Sequence, residues 1–182
     1  MKSDVIEVHL REIKQLFDGM DPSPFRERDL DPKAEEYIVE SVKELSSPTV
    51  GDLVIYLDHP MSMPNEEKEV AEAIRVHFAR RAEFLRKDLR QLIRRGFVSL
   101  AIGIAFLSTL FIIARLVARH AGSSVWVALF REGLLIAGWV AMWRPIEIFL
   151  YDWWPILGEQ RIRERLSKVK VQIVVNSAEA GL

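Results

Sequence analysis

The stretch FVSLAIGIAFLSTLFIIA, residues Phe97–Ala114, decides the architecture of this chain, because it runs for eighteen residues without a charge. About twenty predominantly apolar residues are needed for a helix to cross the hydrocarbon core of a bilayer. The core helix of a soluble protein normally keeps a polar face toward water, which this stretch lacks. It therefore predicts a transmembrane helix, which we place at residues 96–118.

A second apolar segment follows, and its register has two solutions, Val125–Trp143 and Gly133–Trp153. We prefer the later one, with a helix over 132–154, because it leaves Arg131 and Glu132 at the outer boundary of the bilayer. It also brings an aromatic cluster to the inner interface, where amphipathic rings settle. The members of that cluster are Tyr151, Trp153 and Trp154.

Basic residues flank the two apolar segments and predict their orientation, since cytosolic flanks of membrane helices are enriched in Lys and Arg. Eight precede the first segment: Arg75, Arg80, Arg81, Arg86, Lys87, Arg90, Arg94 and Arg95. Five follow the second: Arg161, Arg163, Arg165, Lys168 and Lys170. The connection between the segments offers only Arg115, Arg119 and Arg131. We therefore expect a cytosolic N-terminus, a cytosolic C-terminus and an outer loop at 119–131.

The net charge of −1 conceals an asymmetry along the chain. Residues 1–70 contain 8 basic and 17 acidic side chains, whereas residues 71–182 contain 17 basic and 9 acidic ones. An acidic domain beside a basic segment fits a protein held at a membrane with anionic headgroups, although an ordinary solvated surface explains the acidic half equally well. Nucleic-acid binding is disfavoured, because the basic groups cluster where a lipid surface would lie.

The soluble parts predict a small sheet. Alternation of apolar residues indicates strands in VIEVHL at the N-terminus, in DLVIYL (Asp52–Leu57), and from Val169 to Val175. For VIEVHL a helix is the alternative, because Ile6, Leu10, Ile13 and Phe17 also follow helical spacing. Asp31 and Pro32 are typical of a helix N-cap and first turn, and this helix should end near Leu45. If the last strand joins the others, the two ends of the chain fold together, which requires an even number of membrane crossings.

We therefore predict an α+β membrane protein, in which a two-helix transmembrane hairpin and a long stalk helix carry an α/β sheet domain built from both termini. The predicted parts are a cytosolic head at 1–64, a basic stalk helix at 65–95, a transmembrane helix at 96–118, an outer loop at 119–131, a second transmembrane helix at 132–154, and a cytosolic tail at 155–182 whose strand joins the head.

Ionisable residues in the second membrane segment are candidate functional groups. Arg144 and Glu147 are three residues apart on one helix face, and an unpaired charge there costs about 2.5–3.5 kcal/mol. Pro145 loosens the backbone near Ala141, because proline has no amide hydrogen to donate. A structural ion pair or headgroup anchor is the first interpretation, and a role in transport or gating is the second. Arg131 and Glu132, nearer to water, favour the structural interpretation further.

Both membrane segments carry small residues at four-residue spacing, which lets helices approach closely in lipid. The first row is Ala101, Ala105 and Thr109, and the second is Gly133, Ala137 and Ala141. One row can close the hairpin while the other meets a second copy, or both can serve the hairpin alone. Because the stalk also has an unpaired apolar stripe, we expect a homo-oligomer.

The sequence predicts no catalytic, metal or cofactor site. The chain has no cysteine, which excludes thiolate chemistry, and its 4 histidines lack the i, i+4 spacing of a helical zinc site. It has no Gly-rich phosphate loop and no G-x-S-x-G motif.

Two blocks of the chain, LFDGMDPSPFRERDLD (Leu16–Asp31) and EGLLIAGWVAMWRPIEIFLYDWWPI (Glu132–Ile156), are distinctive. They resemble an uncharacterised family of bacterial membrane proteins that share a DPSPF…RDLD segment and a GWVA-x-WRP-x-E…LYDWWP segment. The resemblance implies a bacterial inner-membrane protein but supplies no catalytic residues. It draws attention to the positions of the second block that carry charge, proline or tryptophan: Arg144, Pro145, Glu147, Asp152, Trp153 and Trp154.

Three functions follow as hypotheses. The first is a non-enzymatic, homo-oligomeric scaffold whose head binds a protein partner. The second is a channel or transport component that uses Arg144 and Glu147. The third is a membrane-bound enzyme acting on lipid headgroups near the DWWP segment.

Overall fold

The computed structural model describes residues 5–24, 27–45, 51–59, 66–120 and 125–175. The chain forms two compact units. The first unit comprises Met1–Leu85 together with Gly158–Leu182, and the second comprises Arg86–Leu157.

The first unit contains a three-stranded parallel sheet in the order β1-β2-β3. Its strands are β1 (Ile6–Leu10), β2 (Leu53–Leu57) and β3 (Val171–Val175). The three strands predicted from the sequence are confirmed, and so is the pairing of the C-terminal strand with the N-terminal part of the chain. The sequence did not predict whether the strands run parallel or antiparallel, and all three are parallel.

Helix α1 (Pro32–Glu44) connects β1 to β2 and begins as predicted. The carboxylate of Asp31 accepts a hydrogen bond from the backbone N–H of Lys33, and Pro32 occupies the first turn. The helix buries Ile38, Val39 and Val42 against the sheet.

One face of the sheet forms the core of this unit, and the other face is partly exposed among the described residues, at Glu7, His9 and Val174. Residues in register on the inner face, such as Val8, Ile55 and Ile173, pack against α1 and against the first turns of α2 (Glu66–His120). On the outer face, the rings of His9 and Tyr56 stack with their centroids 4.7 Å apart. Parallel sheets are usually covered on both faces, so an open face is unusual.

Helix α2 runs without a break through the segments predicted as the stalk and the first apolar helix. Its apolar stripe is buried at Val70, Ile74 and Phe78. Further along, Phe84 is 60% exposed, whereas Leu85, Leu89 and Leu92 are partly buried.

The second unit is an antiparallel helix pair formed by the later part of α2 and by α3 (Val125–Glu147). Helix α3 begins at Val125, so residues 125–131, which we predicted in the outer loop, are helical; residues 121–124 of that loop lie outside the described part. Beyond Glu147, a π-helical segment (Ile148–Asp152) leads directly into α4 (Trp153–Leu166). The helix is therefore not broken at Pro145, and its turn widens only after Glu147.

Glycines bring the two helices of the pair together. A Cβ atom on Gly103 would lie 2.9 Å from Sδ of Met142, and one on Gly96 would lie 2.8 Å from Cγ2 of Ile148. Gly138 approaches the side chain of Leu107 in the same way. Apart from Ala141, whose carbonyl oxygen faces Gly103, the predicted small-residue rows do not form this contact. Their other members are exposed: Ala101, Ala105, Thr109, Gly133 and Ala137.

Two helical stretches, Glu67–Arg119 and Val125–Leu166, each contain an 18-residue window that is long and apolar enough to cross a membrane. Only 11% of the first window and 6% of the second are buried.

Candidate functional site

The predicted charged residues of the second apolar helix form one ion-paired triad. Nη1 of Arg144 lies 3.2 Å from Oε2 of Glu147 and 3.2 Å from Oδ2 of Asp152. The indole N–H of Trp143 donates a 2.8 Å hydrogen bond to Oε1 of Glu147. Among the described residues, Arg144 is thus held between two carboxylates on its own helical run.

The helix geometry explains why three groups meet instead of two. Glu147 is three residues after Arg144, and side chains at this spacing share one face of an α-helix. Asp152 ends the π-helical segment, whose wider turns change the angular register of the residues that follow. Single π-helical turns inside α-helices occur frequently at functional sites.

The remaining predicted residues do not join the triad. The buried ring of Pro145 lies near Gly103, and the indole N–H of Trp153 donates to the carbonyl oxygen of Phe149 at 2.8 Å. Trp154 packs beside Trp153 and is 65% exposed. Arg131 and Glu132, much earlier in α3, are exposed and form no ion pair with a described residue.

A second polar cluster, which the sequence did not predict, is buried in the first unit around His77. Nε2 of His77 lies 3.1 Å from Oε2 of Glu35, and its Nδ1 lies 3.0 Å from Oδ1 of Asp29. The side chain of His77 is 1% exposed and that of Glu35 is 11% exposed. The imidazole therefore bridges two carboxylates inside the fold.

Three arginines complete this cluster. Arg163 on α4 reaches Oε1 of Glu35 at 3.2 Å, and Arg81 on α2 reaches Oε2 of the same carboxylate at 3.4 Å. Arg80 lies 3.6 Å from Oδ1 of Asp29. Glu35 on α1 is thus the common partner of side chains from α2 and α4.

These contacts change the acidity of Glu35. The hydrogen bond from His77 is the main reason why the pKa of Glu35 falls from 4.5 to about 2, and the positive charges of Arg81 and Arg163 lower it further. Burial acts in the opposite direction and is outweighed. Glu35 therefore stays ionised at neutral pH although it is buried.

The position of the hydrogens on the His77 ring determines which neighbours it can hydrogen-bond. A doubly protonated ring donates to both Glu35 and Asp29. A neutral ring with its hydrogen on Nε2 still donates to Glu35, and its Nδ1 then accepts the backbone N–H of Leu30, which lies 3.3 Å away. Glu35 is satisfied in both states, whereas Asp29 and Leu30 compete for the same nitrogen.

Sequence reasoning missed this cluster because its members are spread over α1, α2, α4 and the loop before α1. One local signal was present, since His77 and Arg81 fall on the apolar stripe of α2. Polar residues on such a stripe are buried only when partners satisfy them, so they point to partners from other elements.

Comparison of the chain with protein-family models, with curated proteins and with solved structures gives no match.

Proposed function

We propose that this chain is an integral membrane scaffold, in which a helical hairpin anchors a small α/β head that binds a protein partner. One observation carries the proposal: the apolar surfaces of α2 and α3 stay exposed after the two helices have packed together. Contiguous apolar surface of this extent is not tolerated in water by a monomeric soluble protein. A bilayer covers it along its whole length.

The charges next to these helices support an orientation in a bacterial inner membrane with the head on the cytosolic side. Arg86, Arg90, Arg94 and Arg95 on α2 are exposed immediately before the apolar stretch. Arg161 on α4 is exposed after it. Because β2 and β3 are neighbours in one sheet, the chain that leaves through α2 must return on the same side.

Self-association is part of the proposal. Ala101, Ala105, Gly133 and Ala137 are exposed on the hairpin, and its closure depends on other glycines. Helices in lipid associate through such small residues, because the backbones can then approach closely. The two rows thus offer surfaces for a second copy of the hairpin.

The head supports partner binding through the open face of its sheet. This face carries Glu7, His9, Tyr56 and Val174, a mixture of charged, aromatic and aliphatic groups. Since a parallel sheet is normally covered on both faces, a partner protein is the proposed cover.

The test is reconstitution of the full chain into lipid nanodiscs. In native inner-membrane vesicles we expect resistance to alkaline carbonate extraction and labelling of single cysteines near both termini only from the cytosolic side. In the nanodiscs we expect a mass corresponding to more than one copy. Ala137→Leu with Ala105→Leu should return the mass to one copy. Extraction by carbonate would contradict the anchor, and a wild-type monomer would contradict self-association alone.

A channel or transport component is the second candidate, because Arg144, Glu147 and Asp152 place charge within an apolar helix. The guanidinium is already paired with two carboxylates, which favours a structural role. Ion flux through proteoliposomes that is lost in Arg144→Gln would overturn this order of preference.

A further inference from the structure

A groove on the surface of α2 combines basic and apolar groups in one place. It has a volume of about 390 Å³ and is lined by Gln91, Arg94, Arg95, Val98, Ser99 and Ile102. Each of these positions has another lining residue three or four positions away, so they lie on one face of the helix. The groove sits at the boundary between the basic segment of α2 and its uncharged stretch.

The polar end of the groove has anion-binding chemistry. Arg94 and Arg95 are exposed, and neither forms an ion pair with any residue that the structure describes. Guanidinium groups bind phosphate oxygens through paired, parallel hydrogen bonds. The Gln91 amide and the Ser99 hydroxyl, on the same wall, are further donors for such oxygens.

The other end of the groove is apolar. Val98 and Ile102 are exposed beside the arginines, and the uncharged stretch continues along α2 beyond them. A free phosphate ion would occupy only the polar half and leave these side chains uncovered. A ligand that carries a phosphate at one end and hydrocarbon at the other satisfies both halves.

We propose that this groove binds the headgroup of one anionic phospholipid. The phosphate lies against Arg94 and Arg95, and the first carbons of an acyl chain lie along Val98 and Ile102. This inference rests on the proposed membrane function and deepens it, because it replaces a general attraction between basic residues and anionic lipids with a single site.

The test is native mass spectrometry of the full chain released from nanodiscs that contain equal amounts of phosphatidylglycerol and phosphatidylcholine. We expect wild-type chains to retain one phosphatidylglycerol each. Arg94→Gln with Arg95→Gln should lower that retention at least about tenfold. The matched control is Arg86→Gln with Arg90→Gln, which removes the same charge from exposed positions of α2 outside the groove and should change retention less than about twofold.

Two further results separate the alternatives. Ile102→Ala should weaken retention of phosphatidylglycerol without changing the binding of inorganic phosphate measured by calorimetry. Equal losses in the two double variants would show diffuse electrostatic attraction and overturn the site, while carbonate-resistant insertion would leave the proposed function standing. A chain that carbonate extracts would overturn both proposals. If millimolar inorganic phosphate displaced the bound phosphatidylglycerol as effectively as added lipid does, the groove would be a phosphate site. That result would overturn the lipid assignment.

Discussion

The imidazole of His77 and the carboxylate of Glu35 form a buried hydrogen bond between α2 and α1, with 3.1 Å between Nε2 and Oε2. Arg163 brings α4 to the same carboxylate. Glu35 therefore connects α1, α2 and α4 within the first unit. It is not among the residues that the sequence marks as functional.

The stability of the head should depend on pH through Glu35. Its pKa is lowered from 4.5 to about 2 on folding, so its contribution to stability is fully present above pH 4.5 and is lost as the pH falls toward 2. At about 1.4 kcal/mol per pKa unit, this contribution is at most about 3.5 kcal/mol. Glu35→Gln should destabilise the head at neutral pH and flatten its pH dependence between 4.5 and 2.

Denaturant-dependent amide exchange of β2, corrected for intrinsic rates and measured on the full chain in detergent, gives the free energy of unfolding of the head. The matched control is Glu36→Gln on α1, which removes the same charge from an exposed position. If both variants show the same pH profile, Glu35 is not the titrating group.

The triad around Arg144 should behave as a structural unit. Arg144→Gln leaves Glu147 and Asp152 without their cation. If the hairpin spans a membrane as proposed, this should destabilise it by about 2.5–3.5 kcal/mol, the scale for an unpaired charge in a bilayer. The triple variant with Arg144→Gln, Glu147→Gln and Asp152→Asn should regain most of that stability. Thermal unfolding in detergent is the measurement, with Arg131→Gln as the control for loss of charge alone. Persistent instability of the triple variant would contradict a purely structural role.

Close packing at Gly103 should be essential to the hairpin. Gly103→Val pushes against Met142 and the carbonyl oxygen of Ala141 and should cost about 1–3 kcal/mol, the usual range for overpacking. Gly133→Val is the matched control, because a Cβ atom there would meet nothing within 4 Å. Since the chain contains no native cysteine, disulfide crosslinking between one introduced cysteine on each helix reports the packing. Equal crosslinking in both variants would exclude Gly103 as the contact point.

The N-cap of α1 should contribute measurably to the head. Asp31→Ala removes the acceptor for the Lys33 backbone N–H and should lower the free energy of unfolding by about 1 kcal/mol. Asp31→Asn keeps an N-cap acceptor and should remain close to the wild type. The amide exchange of β2 serves again as the readout, and a larger effect of Asn than of Ala would contradict the capping role.

Local patterns predicted the elements of the fold well. Alternation in VIEVHL and DLVIYL marked two strands, and Asp31 with Pro32 marked the start of α1, because each signal lies within a few neighbouring residues. An ion pair between Arg144 and Glu147 was one of the interpretations that the sequence allowed, since the two residues are three apart on one helix face.

Apart from the pairing of the C-terminal strand with the N-terminal part of the chain, contacts between distant elements were not predicted. The small-residue rows failed to identify the contact between α2 and α3, since that contact depends on the rotation of each helix about its axis, which sequence spacing does not fix. The partners of His77 depend likewise on how α1, α2 and α4 pack. Asp152 joined Arg144 because a π-helical segment altered the register, and no pattern in the sequence announces such a segment.

The pairing of β2 with β3 has a consequence for biosynthesis. These neighbouring strands are separated in the chain by α2, α3 and α4, so the ribosome completes the whole apolar hairpin before it produces the last strand. The head can therefore acquire its full sheet only after both apolar helices have left the ribosome. A nascent chain stalled before β3 would hold β1 and β2 without their third strand, so the sheet can be completed only once β3 has been translated.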